Sequence, residues 1–128
     1  MKYRLLNILA CPICKHFPLE LYVIERKRYE RDIKVEIPAC DLYCGFKGKY
    51  VKELKEHECI ECLKYEVVTG VLYCPNCGRW YPIIDEIPRM LPDNYRSRSE
   101  DLNFLKKYRD ELPEKIVHEG KPYNLESE

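Results

Sequence analysis

The chain has 128 residues, enough for one domain or for one domain carrying an inserted lobe. Its 22 basic and 22 acidic residues cancel and its pI is near 6.8, against the domain pI above about 9 usual for modules that live on nucleic-acid phosphates. A hydrophobic share of 45% favours folding over disorder, no apolar run approaches the roughly 20 residues of a membrane span, and Met1–Asn7 lacks the features of a secretory signal.

In chain order, Leu5, Leu6, Ile8 and Leu9 suit a short buried strand or one helical turn. Leu19, Leu21 and Val23 alternate with more polar neighbours and predict a strand. Ile33, Val35 and Ile37 alternate in the same way, and the polar stretch from Tyr29 to Asp32 suits a hairpin between the two. Pro38 ends the second strand. Gly45 and Gly48 mark a turn, with the end of a short helix expected over 41–44. The span 50–64, free of Gly and Pro and rich in Lys, Glu and Leu, predicts a helix. Strand composition returns from Glu66 to Tyr73 and again from Trp80 to Ile84, where Asp85-Glu86-Ile87-Pro88 stops it. Ser97 and Glu100 stand as in a capping box, and Leu102, Leu105, Tyr108 and Leu112 lie near one face of the helix that follows. Pro113 closes or kinks it, and the tail to Glu128 is expected to drape over the body or hang loose.

The eight cysteines fall into four close pairs. Without an export signal they are expected in the cytoplasm, first as metal ligands and second as disulfides. The absence of glutamine beside abundant Lys, Arg and Glu matches the bias of hot-living organisms, whose intracellular proteins do keep disulfides.

Cys11-Pro12-Ile13-Cys14 and Cys74-Pro75-Asn76-Cys77-Gly78 are the two halves expected of a zinc ribbon. Two residues between ligands let the backbone curl so that both thiolates reach one Zn²⁺ at about 2.3 Å, and four thiolates leave no open position for substrate. The site is therefore expected to be structural. The 59 intervening residues are tolerable because loop-closure cost grows only logarithmically with length. A redox dithiol or unrelated disulfides are the alternatives. Cys40, Cys44, Cys59 and Cys62 have helical spacing, and two antiparallel helices would nest the disulfides Cys40–Cys62 and Cys44–Cys59. A second zinc, with Cys44-Gly45 imitating a ribbon turn, is the other reading.

Few sites of other kinds are indicated. The five glycines form no nucleotide-binding loop, so the chain alone is expected to bind no S-adenosylmethionine. His16, His57 and His118 read as surface residues, His16 alone standing near a ligand. The dispersed tyrosines read as packing residues, and Arg26-Lys27-Arg28 is interrupted by nearby acids.

The runs Leu5-Leu6-Asn7-Ile8-Leu9-Ala10-Cys11-Pro12-Ile13-Cys14, Pro18-Leu19-Glu20-Leu21, Gly70-Val71-Leu72-Tyr73-Cys74-Pro75-Asn76-Cys77-Gly78-Arg79-Trp80-Tyr81-Pro82-Ile83 and Asp85-Glu86-Ile87-Pro88-Arg89-Met90-Leu91-Pro92 are specific as an ordered set. They resemble the small zinc-binding activator subunit of tRNA, rRNA and release-factor methyltransferases, in its archaeal form. The resemblance covers residues 1–24 and 66–92. It implies a non-catalytic heterodimer partner of class I S-adenosylmethionine-dependent methyltransferases, joined to the catalytic sheet by strand addition and apolar contact, with RNA met only through the complex. The four middle cysteines depart from the family pattern.

The expected fold is α+β, a small antiparallel zinc-ribbon (zinc-knuckle) sheet with an inserted helical hairpin and a C-terminal helix. Residues 1–37 and 66–92 are assigned to the β domain, 38–65 to the helical insertion and 93–128 to the C-terminal helix and tail. Trp80, Tyr81, Ile83, Ile84, Ile87, Pro88, Arg89, Met90 and Leu91 are the expected partner surface, with filling of the chain's own core as the alternative for the apolar ones. The rival functions are a zinc-ribbon nucleic-acid-binding module of the translation or transcription machinery and a thiol–disulfide oxidoreductase.

Overall fold

A computed structural model describes residues 1–127, so Glu128, the end of the expected tail, lies outside the described residues. Among them, β1 (Glu20–Arg28), β4 (Tyr65–Tyr73), β5 (Trp80–Ile84) and β6 (Ile87–Pro88) form an antiparallel sheet in the order β1-β4-β5-β6. Between β1 and β4 lie a small hairpin, β2 (Tyr43–Cys44) with β3 (Lys49–Tyr50), and one helical turn, α1 (Cys59–Cys62). After the sheet come α2 (Arg98–Tyr108) and α3 (Glu114–Val117).

The central strands β4 and β5 are covered on both faces, which explains their near-continuous apolar runs. On one face Leu72, Tyr81 and Ile83 pack with Leu6, Leu19 and the buried cysteines Cys11 and Cys74. On the other, Val71 and Trp80 pack against Phe104, Leu105, Leu112, Ile116 and Val117 of the C-terminal helices. The sheet is therefore a middle layer, with the cysteine-bearing end on one side and α2 and α3 on the other. Asp85 and Glu86, both at positive φ (51° and 69°), turn β5 back into β6, so the segment expected only to stop β5 also starts the edge strand.

The helix α2 begins as the capping box foresees. Ser97 is its N-cap, and its side chain accepts from the Glu100 amide. Leu102 and Leu105 are buried on its inner face. Arg96, just before the cap, donates from Nη1 to the Trp80 carbonyl (2.6 Å) and lies 4.7 Å over the indole. The tail is not loose. Lys121 forms a parallel bridge with Arg79, its amide donating to Gly78 and its carbonyl accepting from Trp80, and Trp80 Nε1 donates to Tyr123.

Two expectations are corrected. Residues 33–37 are not a strand and β1 has no hairpin with them; β1 runs on to Arg28 and pairs with β4, from Glu20↔Tyr73 to Arg28↔Tyr65. Ile33 and Val35 are still half-buried between exposed neighbours, but one apolar face flanked by Asp32, Lys34 and Glu36 does not compete with β4, which buries side chains on both. Nor is 38–65 a helical hairpin. The span expected as a helix from Tyr50 gives a turn of 3₁₀ helix at Val51–Glu53, irregular chain, then only α1. Lys52, Glu53, Lys55 and Glu56 are all exposed, and a helix polar on nearly every side has no face to bury. The lobe is instead tied to the 3₁₀ helix Tyr3–Asn7, where Asn7 Oδ1 accepts from the amides of Leu42 and Tyr43. Contact there is close enough that a Cβ on Gly45 would stand 2.4 Å from the Tyr3 carbonyl oxygen.

Candidate metal centre and partner surface

Two turns of the same construction build the metal centre. One connects the 3₁₀ helix to β1 and the other connects β4 to β5. In each, the residue after the second cysteine returns its amide to the carbonyl of the first: Lys15 to Cys11 and Gly78 to Cys74, both 2.9 Å. The first cysteine then donates its own amide onward, Cys11 to His16 (3.0 Å) and Cys74 to Arg79 (2.8 Å). The reversal needs positive φ, found at Lys15 (68°) and at Gly78 (80°), where glycine adopts it freely. Within each curl, amides point at the first sulfur, those of Ile13 and Cys14 at Cys11 and those of Asn76 and Cys77 at Cys74.

The sheet register brings the turns together, because Tyr73 pairs with both Glu20 and Trp80. The Sγ atoms of Cys11, Cys14, Cys74 and Cys77 all lie within 4.8 Å of one another. Cys14 and Cys74 are 3.4 Å apart and Cys11 and Cys77 3.7 Å. A tetrahedral site with Zn–S near 2.3 Å has S–S edges of about 3.8 Å, so this donor set fits a thiolate-bound metal ion. Cys11 and Cys74 are fully buried; Cys14 and Cys77 are partly exposed.

The surroundings act on the sulfurs unequally. The Asn76 side chain and the His16 amide bring Cys14 down to about 6. Burial pushes Cys74 up to about 12. Tyr81 meets the Cys11 sulfur at 3.3 Å. Arg79 hydrogen-bonds Cys77 and clamps Asp93 through two contacts of 2.9 Å, placing a guanidinium beside the cluster. His16 serves through its backbone, His57 is half-buried at the edge of the inserted lobe, and His118 Nδ1 contacts Glu126 (2.8 Å).

Cys40, Cys44, Cys59 and Cys62 line a separate small cavity, and all eight cysteines are unlinked. Only Cys59 and Cys62 share a helical turn, while Cys44 ends β2 and Cys40 lies in irregular chain. The helical hairpin that nested Cys40–Cys62 and Cys44–Cys59 disulfides require is thus not formed.

The expected partner surface divides. Trp80, Tyr81 and Ile83 are fully buried in this chain's own two-faced core, which corrects their placement on a surface. Ile84, Pro88 and Met90 are half-buried, and Arg89 is exposed. Of this expected surface, Ile87 (61% exposed) and Leu91 (43%) are the large apolar side chains presented to solvent. Ile8, 75% exposed, was grouped in the sequence with buried neighbours. The spacing Tyr3, Leu6 of a three-residue period would have separated it, since those two are buried and Ile8 falls off their face. Among the described residues no helix is long and apolar enough to cross a membrane.

Comparison with known proteins bears on these features together. No curated protein matches the chain. Among solved structures, a chain of the E. cuniculi Mtq2–Trm112 complex, responsible for methylation of the eRF1 translation termination factor, superposes with a TM-score of 0.52 at 20% identity, covering 71% of this chain and 95% of its own. At that identity the likeness speaks for the fold. The model of the Trm112p-like protein family matches residues 2–86, well over half of the chain and inclusive of both metal-centre turns. The chain belongs to the Trm112p-like family.

Proposed function

We propose that this chain is the non-catalytic activating and stabilising subunit of class I S-adenosylmethionine-dependent methyltransferases acting on tRNA, rRNA or translation release factor, and that it works as a heterodimer partner. Family membership and the Trm112 fold likeness support the reading, since that solved complex pairs a Trm112 chain with a methyltransferase acting on a release factor. Cys11, Cys14, Cys74 and Cys77 hold one structural Zn²⁺. The metal supplies only rigidity, because four thiolates fill its shell. Residues 1–37 and 66–92 act as the zinc-binding β domain, supported by a four-stranded sheet drawn entirely from 20–28 and 65–88. Residues 38–65 are the insertion and 93–128 the C-terminal helix and tail, of which α2 and α3 cover the sheet's other face.

The observation that carries the partner surface is the contrast between the sheet's two outer strands. The outer part of β1, with Glu25, Arg26, Lys27 and Arg28 exposed, is guarded by charge, as edges closed to strand pairing are. The edge strand β6 is short, presents Ile87 and runs on towards Leu91. Main-chain pairing along Ile87–Leu91, with Ile87 and Leu91 as apolar anchors and Arg89 between them, is the docking mode this favours. The basic cluster, by contrast, is engaged within the chain, Arg28 with Glu61 and Glu30 and Arg31 with Glu66, which counts against a free-standing nucleic-acid module.

Co-expression with class I methyltransferases from the source organism tests the proposal. One-to-one complexes with raised methyl-donor binding and activity are expected, alongside weak, steeply salt-dependent RNA affinity of the subunit alone. Tight RNA binding by the isolated subunit, with no methyltransferase captured, would refute it.

A further inference from the structure

The inserted lobe contains a third turn built like the two of the metal centre. Gly48 returns its amide to the Cys44 carbonyl (2.8 Å), as Lys15 does to Cys11 and Gly78 to Cys74. Cys44 pairs with Lys49 across the β2–β3 hairpin, the place His16 and Arg79 take in the other turns. The left-handed residue is again the fifth, Gly48 at φ 67°. The amide of the fourth residue again meets the first sulfur, here Lys47 to Cys44 Sγ at 3.4 Å. Three turns therefore share one hydrogen-bond plan. In the third, Lys47 stands where the others have their second cysteine.

The missing donor is made good by the surroundings. Cys40, Cys59 and Cys62 face Cys44 around a single cavity of about 20 Å³, room for one water-sized body. Cys59 already accepts an amide, from Ala39 at 3.3 Å, so two of the four sulfurs are oriented by backbone donors. Burial raises the Cys40 and Cys62 thiols, and Arg4, which borders the same cavity, carries the charge that opposes it. The lobe around it has little core, since Lys47, Gly48, Lys49, Lys52, Glu53, Lys55 and Glu56 are all exposed. A segment so small and polar needs a staple.

We infer that Cys40, Cys44, Cys59 and Cys62 form a second tetrathiolate metal site, suited to Zn²⁺, that holds the 38–65 lobe together. Sulfur-only tetrahedral donation selects zinc over the hard cations. Among the described residues only the outer four sulfurs are gathered closely enough to hold an ion as they stand, so binding at the middle four is expected to move α1 and the β2–β3 turn towards the cavity. The reaction balances without an oxidant: one Zn²⁺ displaces four thiol protons to solvent, leaving a site of charge −2 that Arg4 partly offsets. The alternative of two disulfides would require an oxidant to accept four electrons.

Metal and thiol counting on the intact chain, purified anaerobically under zinc-replete conditions without added reductant and then freed of excess metal, decides the matter. Two zinc ions per chain are expected, with eight thiols titrating only after chelation in denaturant. Cys59→Ser/Cys62→Ser should lose one zinc and keep the other. One zinc with four freely titrating thiols, or one zinc with an intact mass lower by four hydrogens, overturns the inference. The count on the unmutated chain stands whether or not the double variant folds.

Discussion

Arg96 and Asp101 face each other across the start of α2 at 2.9 Å, with side chains only 3% and 7% exposed. The contact is an ion pair by distance without hydrogen-bond alignment, and Arg96 Nη2 and Asp101 Oδ2 have no other hydrogen-bond partner among the described residues. Burial pushes the Asp101 carboxyl up even against the pull of Arg96. The pair is thus a costly device, and its use is positional. It holds the guanidinium against the Trp80 carbonyl and ring, and so fixes α2 on the sheet.

Removing one partner should therefore hurt more than removing both. Asp101→Ala leaves a buried, uncompensated Arg96 and is expected to lower stability by about 3–5 kcal/mol. Arg96→Met/Asp101→Leu should recover most of that loss, because similar volumes fill the space without a desolvation cost. Denaturant unfolding of the four proteins of the cycle measures both. A single variant within 1 kcal/mol of the parent, on the scale expected of a surface pair, would contradict the buried role assigned to it.

The metal centre predicts a coupling between metal and fold. Cys11 and Cys74 are both fully buried and both belong to the core of one sheet face, so loss of the proposed metal would remove a core element. Cys74→Ser should unfold the β sheet, since metal binding in structural thiolate sites contributes about 10–16 kcal/mol to folding. Circular dichroism with parallel metal analysis would show it. A folded variant without metal at this site would rule out a structural role.

The partner surface predicts a loss of binding without a loss of fold. Ile87 is 61% exposed, so Ile87→Glu should leave the isolated subunit's unfolding midpoint within error. The same change should weaken the methyltransferase complex by about 2 kcal/mol or more if Ile87 is an anchor of the interface. Calorimetric titration with the purified catalytic subunit reads the effect. Undiminished affinity would move the docking site away from β6.

Stability should also carry an acid limb traceable to Glu20. Lys115 of α3 donates to its carboxylate at 2.7 Å and the Tyr22 hydroxyl at 2.5 Å. Burial acts to raise the carboxyl, but these hydrogen bonds outweigh it and hold Glu20 below its usual 4.5. A depressed carboxyl stabilises the fold above the unfolded value and loses that contribution as pH falls through the folded one. The difference in stability between the parent and Glu20→Gln should thus be level above about pH 5 and shrink on acidification. Its size is at most about 1 kcal/mol, because both partners are more than a third exposed. Taking the difference at each pH cancels the acid release of metal common to both proteins.

What was legible in the sequence was local. The Ser97 hydroxyl accepts from the Glu100 amide as capping rules require, and Trp80–Ile84 is a strand at the boundaries its composition implies. The Cys-x-x-Cys turns carry their own geometry, so the clustering of Cys11, Cys14, Cys74 and Cys77 could be read before any contact was known. What was not legible depended on competition between distant segments. Val35 and Val67 both look like strand residues, but only Val67 is fully buried in the core, and β1 pairs with it. Leu54 lies in a span of good helix formers, yet with charged residues on either side it has no apolar stripe to dock. The same blindness put Trp80 and Tyr81 on a surface. Aromatic composition marks an interface and a core alike, and the deciding fact, α2 stacking Phe104 on Trp80 at 5.8 Å, comes from a later stretch of chain.

The bridge between Arg79 and Lys121 has a consequence for self-association. The row that β6 occupies beside β5 ends at Arg89, whose amide bonds Pro82, and the tail takes over at the level of Trp80. Without it, the Trp80 amide and Gly78 carbonyl next to the metal turn would be bare, offering a second copy of the chain a template on which to zip. The tail therefore acts as a selvedge, finishing the seam beside the metal turn and leaving β6 as the stretch of this side open to the pairing proposed above.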